Sequence, residues 1–274
     1  MESINTNVGA MIALQNLNST SMQLQQTQNI ISTGLKVSSA KDDGAVYAIA
    51  QNQRANVSAL DSVTDSLNRN ASVVDVAMSA GDSITDLLTQ MKSKALAASD
   101  TSLDTTSRNA MQTDFNSLRD QITSTIANAS FNGIDILNGS TSTLSALTNA
   151  SGTGHLTVQG ENMSLGGTIV TVGTTASFST ATSASALLTT IDSSINNVSA
   201  ALAKLGTSST ALQNQITFVG KLQDSLNQGI GNLVDADMAT ESSKLQALQT
   251  KQQLGVQALS IANQSTSTVL SLFR

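Results

Sequence analysis

Three acidic residues near the start of the C-terminal segment have the type and spacing of calcium ligands. Asp235, Asp237 and Glu241 would supply carboxylate oxygens, which are the ligands that Ca²⁺ prefers. A calcium loop of the EF-hand type also requires a turn glycine and an oxygen ligand at its twelfth position, and both are missing here. The sequence therefore favours a solvated turn followed by a helix start, and we predict no metal site.

Two other groups of residues are of a type that acid/base catalysis uses. Asp42 and Asp43 are adjacent carboxylates, but no other polar groups converge on them in the sequence, so a turn with charge at a helix N-terminus is favoured. The single histidine, His155, opens a predicted strand alone and is interpreted as an ordinary surface residue. We therefore predict no catalytic residue and no cofactor, and the protein is not expected to be an enzyme.

The composition indicates which elements must carry these residues. The chain has 274 residues, of which 39% are hydrophobic, 12% charged and 2% aromatic, with no proline, cysteine or tryptophan. Because proline breaks helix interiors, its absence permits long uninterrupted helices. The net charge of −6, with no basic cluster, argues against nucleic-acid binding. No apolar run approaches the ~18 residues of a membrane span, and the N-terminus lacks the pattern of a cleavable signal peptide.

Apolar residues recur at helical spacing on both sides of a glycine-rich centre. Steps of three and four residues from about Ala45 to Ala98 predict a heptad seam, with gaps at Asn70 and Gly81. A second amphipathic helix is predicted to end before Phe131, and a third, from Leu187 to Leu233, would be about 70 Å long. The residues on which these three helices depend are Leu60, Val63, Leu67, Val74, Ala77, Ile84, Leu88 and Met91; Met111, Phe115, Leu118, Ile122, Ile126 and Ala129; and Ile191, Ile195, Val198, Leu202, Leu205, Leu212, Ile216 and Val219.

The terminal segments and the centre complete the predicted fold. Apolar residues recur every seven positions near the N-terminus and more weakly near the C-terminus, so both segments are predicted to be helices that need a partner. In the centre, HLTVQ from His155 and TIVTV from Thr168 alternate polar and apolar residues and predict a short hairpin. The predicted fold is mainly α: a long antiparallel helical, coiled-coil bundle with a small β-hairpin region and paired terminal helices.

Five sequence motifs resemble those of a known family. They are SINTN from Ser3, ISTGLKV from Ile31 with SSAKDDGAVYAIA directly after it, FNGIDIL from Phe131, VDADMATE from Val234, and ANQSTSTVLSLFR at the C-terminal end. Together and in this order they resemble the two ends of bacterial flagellins. The short glycine-rich centre stands where large flagellins have bulky outer domains, so the chain resembles a short, two-domain type.

The resemblance implies a structural protein that polymerises into the extracellular flagellar filament for swimming motility. Residues 1–40 with 235–274 would form an inner coiled-coil domain, and residues 41–234, which include the hairpin and loop region 132–183, would form a middle helical bundle. A hook–filament junction protein with flagellin-like ends is the alternative. The residues assigned to the self-assembly interface are Ile4, Val8, Met11, Leu14, Leu17, Leu24, Ile31, Leu245, Leu248, Leu259, Val269, Leu270, Leu272 and Phe273.

The same resemblance implies the partners of such a subunit. They are further copies of the chain, sibling flagellins, the flagellar export apparatus with a cytosolic export chaperone, and the filament cap and hook-junction proteins. Export would use the flagellar secretion channel without a cleavable signal peptide. Neither nucleic acid nor membrane insertion is expected, and a membrane-active amphipathic protein is disfavoured because the terminal segments carry few Lys or Arg residues.

The resemblance suggests two surface features, an immune-receptor patch and glycosylation, and each has an ordinary solvent-exposed surface as its alternative. The stretch from Met91 to Ala95, with Asp114, lies where some flagellins carry an immune-receptor patch, but its charge pattern is altered, and a solvated helix face is favoured. Nine Asn-x-Ser/Thr sequons are interpreted as chance in a chain so rich in these residues. O-linked sugars are predicted on exposed hydroxyls of the centre, with an unmodified loop as the alternative; the acceptors are Thr141, Ser142, Thr143, Ser177, Ser179, Thr180 and Thr182.

Overall fold

The computed structural model describes residues 6–271, with side chains described for residues 6–264. Within this part of the chain, two compact units are present: a terminal unit, residues 6–55 with 225–271, and a middle unit, Asn56–Asp224. The elements in chain order are the helices α1 (Val8–Thr33), α2 (Gly44–Ala98) and α3 (Thr105–Asn128), the strands β1 (Thr143–Leu147) and β2 (His155–Gln159), and the helices α4 (Ala181–Val234) and α5 (Met238–Ser271).

The core of the middle unit is the continuous heptad seam of α2. Every apolar residue that the sequence analysis assigned to this seam is buried, from Leu60 to Met91. The two expected gaps are not gaps, because Asn70 and Gly81 are themselves buried at seam positions. A Cβ added to Gly81 would lie 2.6 Å from Leu202 Cδ2, so the glycine allows α4 to approach closely. The seam therefore uses a small residue where a larger one would separate the helices.

α3 and α4 both run antiparallel to α2. Along α4, Lys92 Nζ lies 2.6 Å from Asp192 Oδ1, and the Gln223 amide donates to Asp61 Oδ1 at 2.8 Å. Along α3, Lys94 Nζ lies 2.6 Å from Asp114 Oδ2. The predicted α3 residues Phe115, Leu118, Ile122, Ile126 and Ala129 are buried, as are Ile191, Val198, Leu205, Leu212 and Val219 of α4. The predicted antiparallel helical bundle is confirmed.

A buried arginine closes the connection between α2 and α3. Arg108, which is 8% exposed, donates from Nε to the carbonyl of Ala98 at 3.0 Å. Its Nη2 donates to the carbonyls of Asp100 and Leu103 at 2.9 and 3.1 Å. The last carbonyls of a helix have no partner within the helix. One side chain therefore satisfies the end of α2 and fixes the following turn.

Replacing Arg108 with alanine is expected to lower the free energy of unfolding of the middle unit by about 3 kcal/mol, because buried carbonyls lose a charged donor. Thermal or urea unfolding followed by circular dichroism measures this loss. Arg119 is the matched control, since it reaches only one distant carbonyl, that of Ala176, at 3.0 Å. Arg119→Ala should cost about 1 kcal/mol. Equal losses in the two variants would contradict the role assigned to Arg108.

The hairpin prediction was half wrong. His155–Gln159 is strand β2, but its antiparallel partner is Thr143–Leu147, with Leu144 opposite Val158. The segment from Thr168 forms no strand, because its polar groups bond to α4: the Thr171 N–H donates to Ser194 Oγ at 3.0 Å, and the Thr171 hydroxyl donates to the Thr190 carbonyl at 3.1 Å. Its alternation reflects Val170 and Val172, both buried.

The FNGI turn follows α3, as the motif predicted. Phe131 and Ile134 exchange two backbone hydrogen bonds of 3.0 Å around Asn132 and Gly133. Both central residues have positive φ, 53° and 77°, a conformation that Asn and Gly tolerate best. The turn thus reverses the chain between the end of α3 and the loop that leads to β1.

Candidate self-assembly interface

The terminal unit is built around an antiparallel pair of helices, α1 and α5. Near one end of the pair, the Asn7 amide caps α1 by accepting from the Ala10 N–H and donates to the Ala262 carbonyl at 2.7 Å. Near the other end, α1 stops at Gly34, whose φ is 72°, and the Ala236 N–H donates to the Gly34 carbonyl at 2.9 Å. The predicted pairing of the terminal helices is confirmed.

The seam between α1 and α5 buries few apolar side chains. Among the described side chains of the two helices, those that are buried are Thr20, Thr27 and Leu248, at 3%, 1% and 7% exposure. The Thr20 hydroxyl donates to the Asn16 carbonyl at 2.8 Å within its own helix. The less exposed residues of α5 follow alternating steps of four and three: Glu241, Leu245, Leu248, Gln252, Gly255, Leu259 and Ala262. The pair is therefore a coiled coil with a thin, partly polar seam.

A second apolar face of the terminal helices points away from the seam. On α1, five large side chains are 48% to 65% exposed and line a groove of about 610 Å³: Val8, Met11, Ile12, Leu14 and Met22. On α5, Leu254 and Ile261 are 60% and 68% exposed and, seven residues apart, share a face that points away from the seam. Val256 is 53% exposed but lies on a different side of the helix. Clusters of exposed large apolar side chains on one helix face mark a candidate interaction site. This outward face is the candidate interface of the protein.

The residues that the sequence analysis assigned to the self-assembly interface lie on two surfaces of α1 and α5, the outward face and the seam. Val8, Met11 and Leu14 lie on the outward face, whereas Leu17, Leu24, Ile31, Leu245, Leu248 and Leu259 lie along the seam. Ile4, Leu272 and Phe273 lie outside the described residues, and for Val269 and Leu270 only the helical backbone is described. Sequence analysis missed the exposed apolar residues Ile12, Met22, Leu254, Val256 and Ile261. The signal available was that Ile12 lies four residues after Val8, Met22 eleven after Met11, and Ile261 seven after Leu254.

The acidic residues considered as ligands or catalysts instead begin helices and tighten turns. Asp237 precedes α5; the Ala239 N–H donates to its Oδ1 at 3.0 Å and the Thr240 hydroxyl to its Oδ2 at 2.8 Å. Asp42 accepts from the N–H and hydroxyl of both Ser38 and Ser39. Within residues 6–271, no group of three or more metal-type ligands occurs. These contacts fit the turn and helix-start interpretation.

The same hydrogen bonds set the acid response of these carboxylates. Those from the Thr240 hydroxyl and then the Thr240 and Ala239 N–H groups hold the pKa of Asp237 below its usual value of 3.8. The Ser38 hydroxyl, first among its donors, likewise lowers the pKa of Asp42. A lowered folded-state pKa contributes stability that is present above the unfolded pKa and is lost as pH falls through the folded one.

Asp237→Asn is therefore expected to make the helicity of α5 less sensitive to acid. Asparagine keeps an acceptor oxygen at the helix N-terminus but has no proton to gain. We expect the wild type to lose more helical signal than the variant between about pH 5 and pH 3, measured by circular dichroism. Parallel acid titrations of the two proteins would contradict the assignment of Asp237 as an acid-sensitive cap.

The remaining predicted surface residues lie in the middle unit. Lys92 and Lys94, within the receptor-like stretch, each pair with a carboxylate, those of Asp192 and Asp114. Of the predicted O-glycosylation acceptors, Thr141 is half-buried, and the others are exposed: Ser142, Thr143, Ser177, Ser179, Thr180 and Thr182. Glycosylation and receptor binding stay predictions.

None of the described helices has the length and hydropathy needed to cross a bilayer.

Comparison with known proteins identifies the family. Residues 4–142 match the bacterial flagellin N-terminal helical region, and residues 188–273 match the bacterial flagellin C-terminal helical region. Flagellin FljM of Caulobacter vibrioides is 59% identical over 274 residues, covering 100% of this chain and 99% of that protein. A flagellin of Brucella melitensis is 38% identical over 283 residues, covering 100% of both chains.

A solved structure supports the fold alone. It is described as a flagellar hook-associated protein from Vibrio parahaemolyticus, matches with a TM-score of 0.59 at 17% identity, and covers 71% of this chain and 100% of that one. The two family regions, the full-length relatives and the paired terminal helices agree with one another. The chain therefore belongs to the bacterial flagellin family, as a member of the short type, and is a structural subunit of the flagellar filament rather than an enzyme.

Proposed function

We propose that this subunit polymerises through the outward apolar face of α1 and α5, which neighbouring copies cover in the innermost layer of the filament. The observation that carries the proposal is the row of large apolar side chains left exposed on both terminal helices. The corresponding inner domain would comprise residues 1–40 with 235–274, and residues 41–234 would form the surrounding layer.

The free energy of burial favours a coupling between assembly and the folding of α1 and α5. Fully burying one Ile, Leu or Met side chain contributes about 1.5 to 3 kcal/mol. The α1–α5 seam buries one described apolar side chain, Leu248, so it offsets little of the entropy of ordering two long helices. Neighbouring copies would cover the seven outward side chains of α1 and α5, and a helical polymer repeats that gain in every subunit. Assembly is therefore expected to stabilise these helices strongly.

Secretion and assembly partners form the second part of the proposal. Export would proceed unfolded through the flagellar secretion channel, with a cytosolic chaperone shielding the apolar terminal segments and no cleavable signal peptide. The absence of cysteine and proline suits this route, because neither disulfides nor slow proline isomerisation would delay transit or refolding. The filament cap, hook-junction proteins and sibling flagellins would contact the same terminal helices. Sugars on exposed hydroxyls of the middle unit, such as those of Ser177 and Thr180, would lie in the solvent.

Seeded polymerisation tests the proposal directly. Purified chain added to short filament fragments should elongate them into smooth helical fibres, visible by negative-stain electron microscopy. Short rings that stop growing would favour the hook–filament junction alternative. Persistent monomers in the presence of seeds would refute self-assembly as the function of the outward face.

A further inference from the structure

Among the methionines whose side chains the structure describes, the exposed ones lie in the terminal unit. Met11, Met22 and Met238 are 62%, 65% and 42% exposed, and all three belong to this unit. The methionines of the middle unit are buried or half-buried: Met78, Met91, Met111 and Met163. An oxidant that reaches the unassembled chain therefore meets the thioethers of the terminal unit first, because oxidation follows accessibility.

Two of these methionines line the groove on the outward face of α1. Met11 and Met22 both line the groove of about 610 Å³ on α1, together with three apolar residues, Val8, Ile12 and Leu14, and three polar ones, Gln15, Asn18 and Ser19. They lie about three helical turns apart and so share one helix face. Met238, in contrast, stands at the first position of α5 and does not line the groove.

We propose that Met11 and Met22 form an oxidation-sensitive site that decides whether an unassembled subunit can join the filament, with peroxides as the oxidant. The proposal rests on the proposed function, because it requires another copy to cover the groove. Subunits already in the filament would be protected, since their thioethers are covered. Oxidation would therefore stop growth while leaving existing filament intact.

The chemistry is a two-electron oxygen transfer. A lone pair of the methionine Sδ attacks one oxygen of hydrogen peroxide; the S–O bond forms and the O–O bond breaks. The departing hydroxide takes up the proton that the transferred oxygen carried and leaves as water, so sulfur is oxidised and peroxide is reduced. The product, methionine sulfoxide, is polar and chiral, and enzymatic or chemical reduction reverses it. Burying its oxygen without a donor is unfavourable, and the lining of the groove is predominantly apolar.

A partition experiment tests the site in the unmodified sequence. Monomer is treated with hydrogen peroxide until about half of each exposed methionine is oxidised, the peroxide is removed, and seeds are added. Filaments and the soluble fraction are then separated, and sulfoxide at each methionine is quantified by peptide mass spectrometry. We expect the sulfoxides of Met11 and Met22 to be depleted at least tenfold in filaments relative to the soluble fraction. Met238 sulfoxide should differ less than twofold and serves as the internal control.

Substitution provides a second readout. For each protein the critical concentration is measured before and after peroxide, and the ratio reports its sensitivity. The wild type and Met238→Leu should show a ratio of ten or more, whereas the double variant Met11→Leu with Met22→Leu should show a ratio near one. Each protein serves as its own reference, so any change in assembly from the substitution itself does not affect the comparison. Treatment with methionine sulfoxide reductases of both stereospecificities should restore assembly of the oxidised wild type.

The outcomes separate this proposal from the function on which it rests. Equal partition of Met11 and Met22 sulfoxides, in samples whose untreated subunits assemble, would overturn the oxidation site and leave self-assembly intact. Failure of untreated subunits to elongate seeds would instead refute the proposed function. Oxidation of Met11 and Met22 in finished filaments as fast as in monomer would show that the groove is not covered, and would overturn both.

Discussion

Replacing Ile12 and Ile261 with serine together is expected to raise the critical concentration for filament growth at least tenfold. The two side chains lie on the outward face of α1 and α5 and are 54% and 68% exposed in the single chain. Assembly can cover only the exposed part of each side chain, so losing that burial costs about 2 to 4 kcal/mol per subunit, and each ~1.4 kcal/mol changes an equilibrium constant tenfold. Sedimentation of seeded samples over a concentration series measures the effect.

The thermal unfolding of the middle unit distinguishes an interface defect from a folding defect. The double variant should unfold at the wild-type temperature, because neither residue belongs to the middle-unit core. Leu88→Ala is the opposite control: Leu88 is fully buried in the α2 seam, so its truncation should cost about 2 to 5 kcal/mol of stability. A matching loss of stability in the isoleucine variant would place those residues in the fold of the monomer instead. Unchanged polymerisation would remove the outward face from the interface.

Tryptic cleavage at Lys244 and Lys251 is expected to be at least a hundredfold faster in the monomer than in the filament. Both lysines are exposed on α5 of the single chain, and the thin α1–α5 seam allows this helix to open locally. Neighbouring copies would suppress the opening by covering the outward face. Time courses of digestion, read by mass spectrometry, measure the ratio and should leave a resistant core near residues 41–234.

Hydrogen exchange supplies the control for this prediction. Backbone amides along the buried α2 seam, such as those of Leu67 and Ile84, should exchange at similar rates in monomer and filament, because their protection arises within one chain. Amides of α1 and α5 should slow markedly on assembly. If α5 in the monomer resists trypsin as well as it does in the filament, the coupling of terminal-helix order to assembly is wrong.

Sequence analysis predicted the long helices well because their signal is strong and local. Without proline, a strict three- and four-residue alternation such as that from Leu60 to Met91 has few competing structures. The hairpin was harder, because polar alternation shows which side chains are buried and not what the backbone bonds to. Val170 and Val172 are buried as a strand would bury them, yet Thr171 bonds to α4. The partner of β2 therefore required the tertiary structure.

The sequence analysis did not separate the two apolar faces of each terminal helix, and which residues form the interface stays a prediction. Leu17 and Leu24 follow the seven-residue repeat and face the seam, while Met11 and Leu14 face outward. A single heptad pattern does not distinguish the seam residues from the outward residues. The seam also uses Thr20 and Thr27, which a search for apolar residues passes over. Separating the two faces required the burial of each side chain.

The α1–α5 pair is only one layer of helices thick, so its outward side chains can be buried only by other subunits. Its stability should therefore depend on the subunit concentration. A group that is buried only by a neighbour is stabilised in proportion to the logarithm of the concentration of free neighbours. Melting of the terminal helices should therefore shift with dilution, whereas the middle unit, with its core inside one chain, should melt at a fixed temperature. Along a filament the same rule makes the two ends its weakest points, since the last subunits lack part of the cover that every interior subunit has.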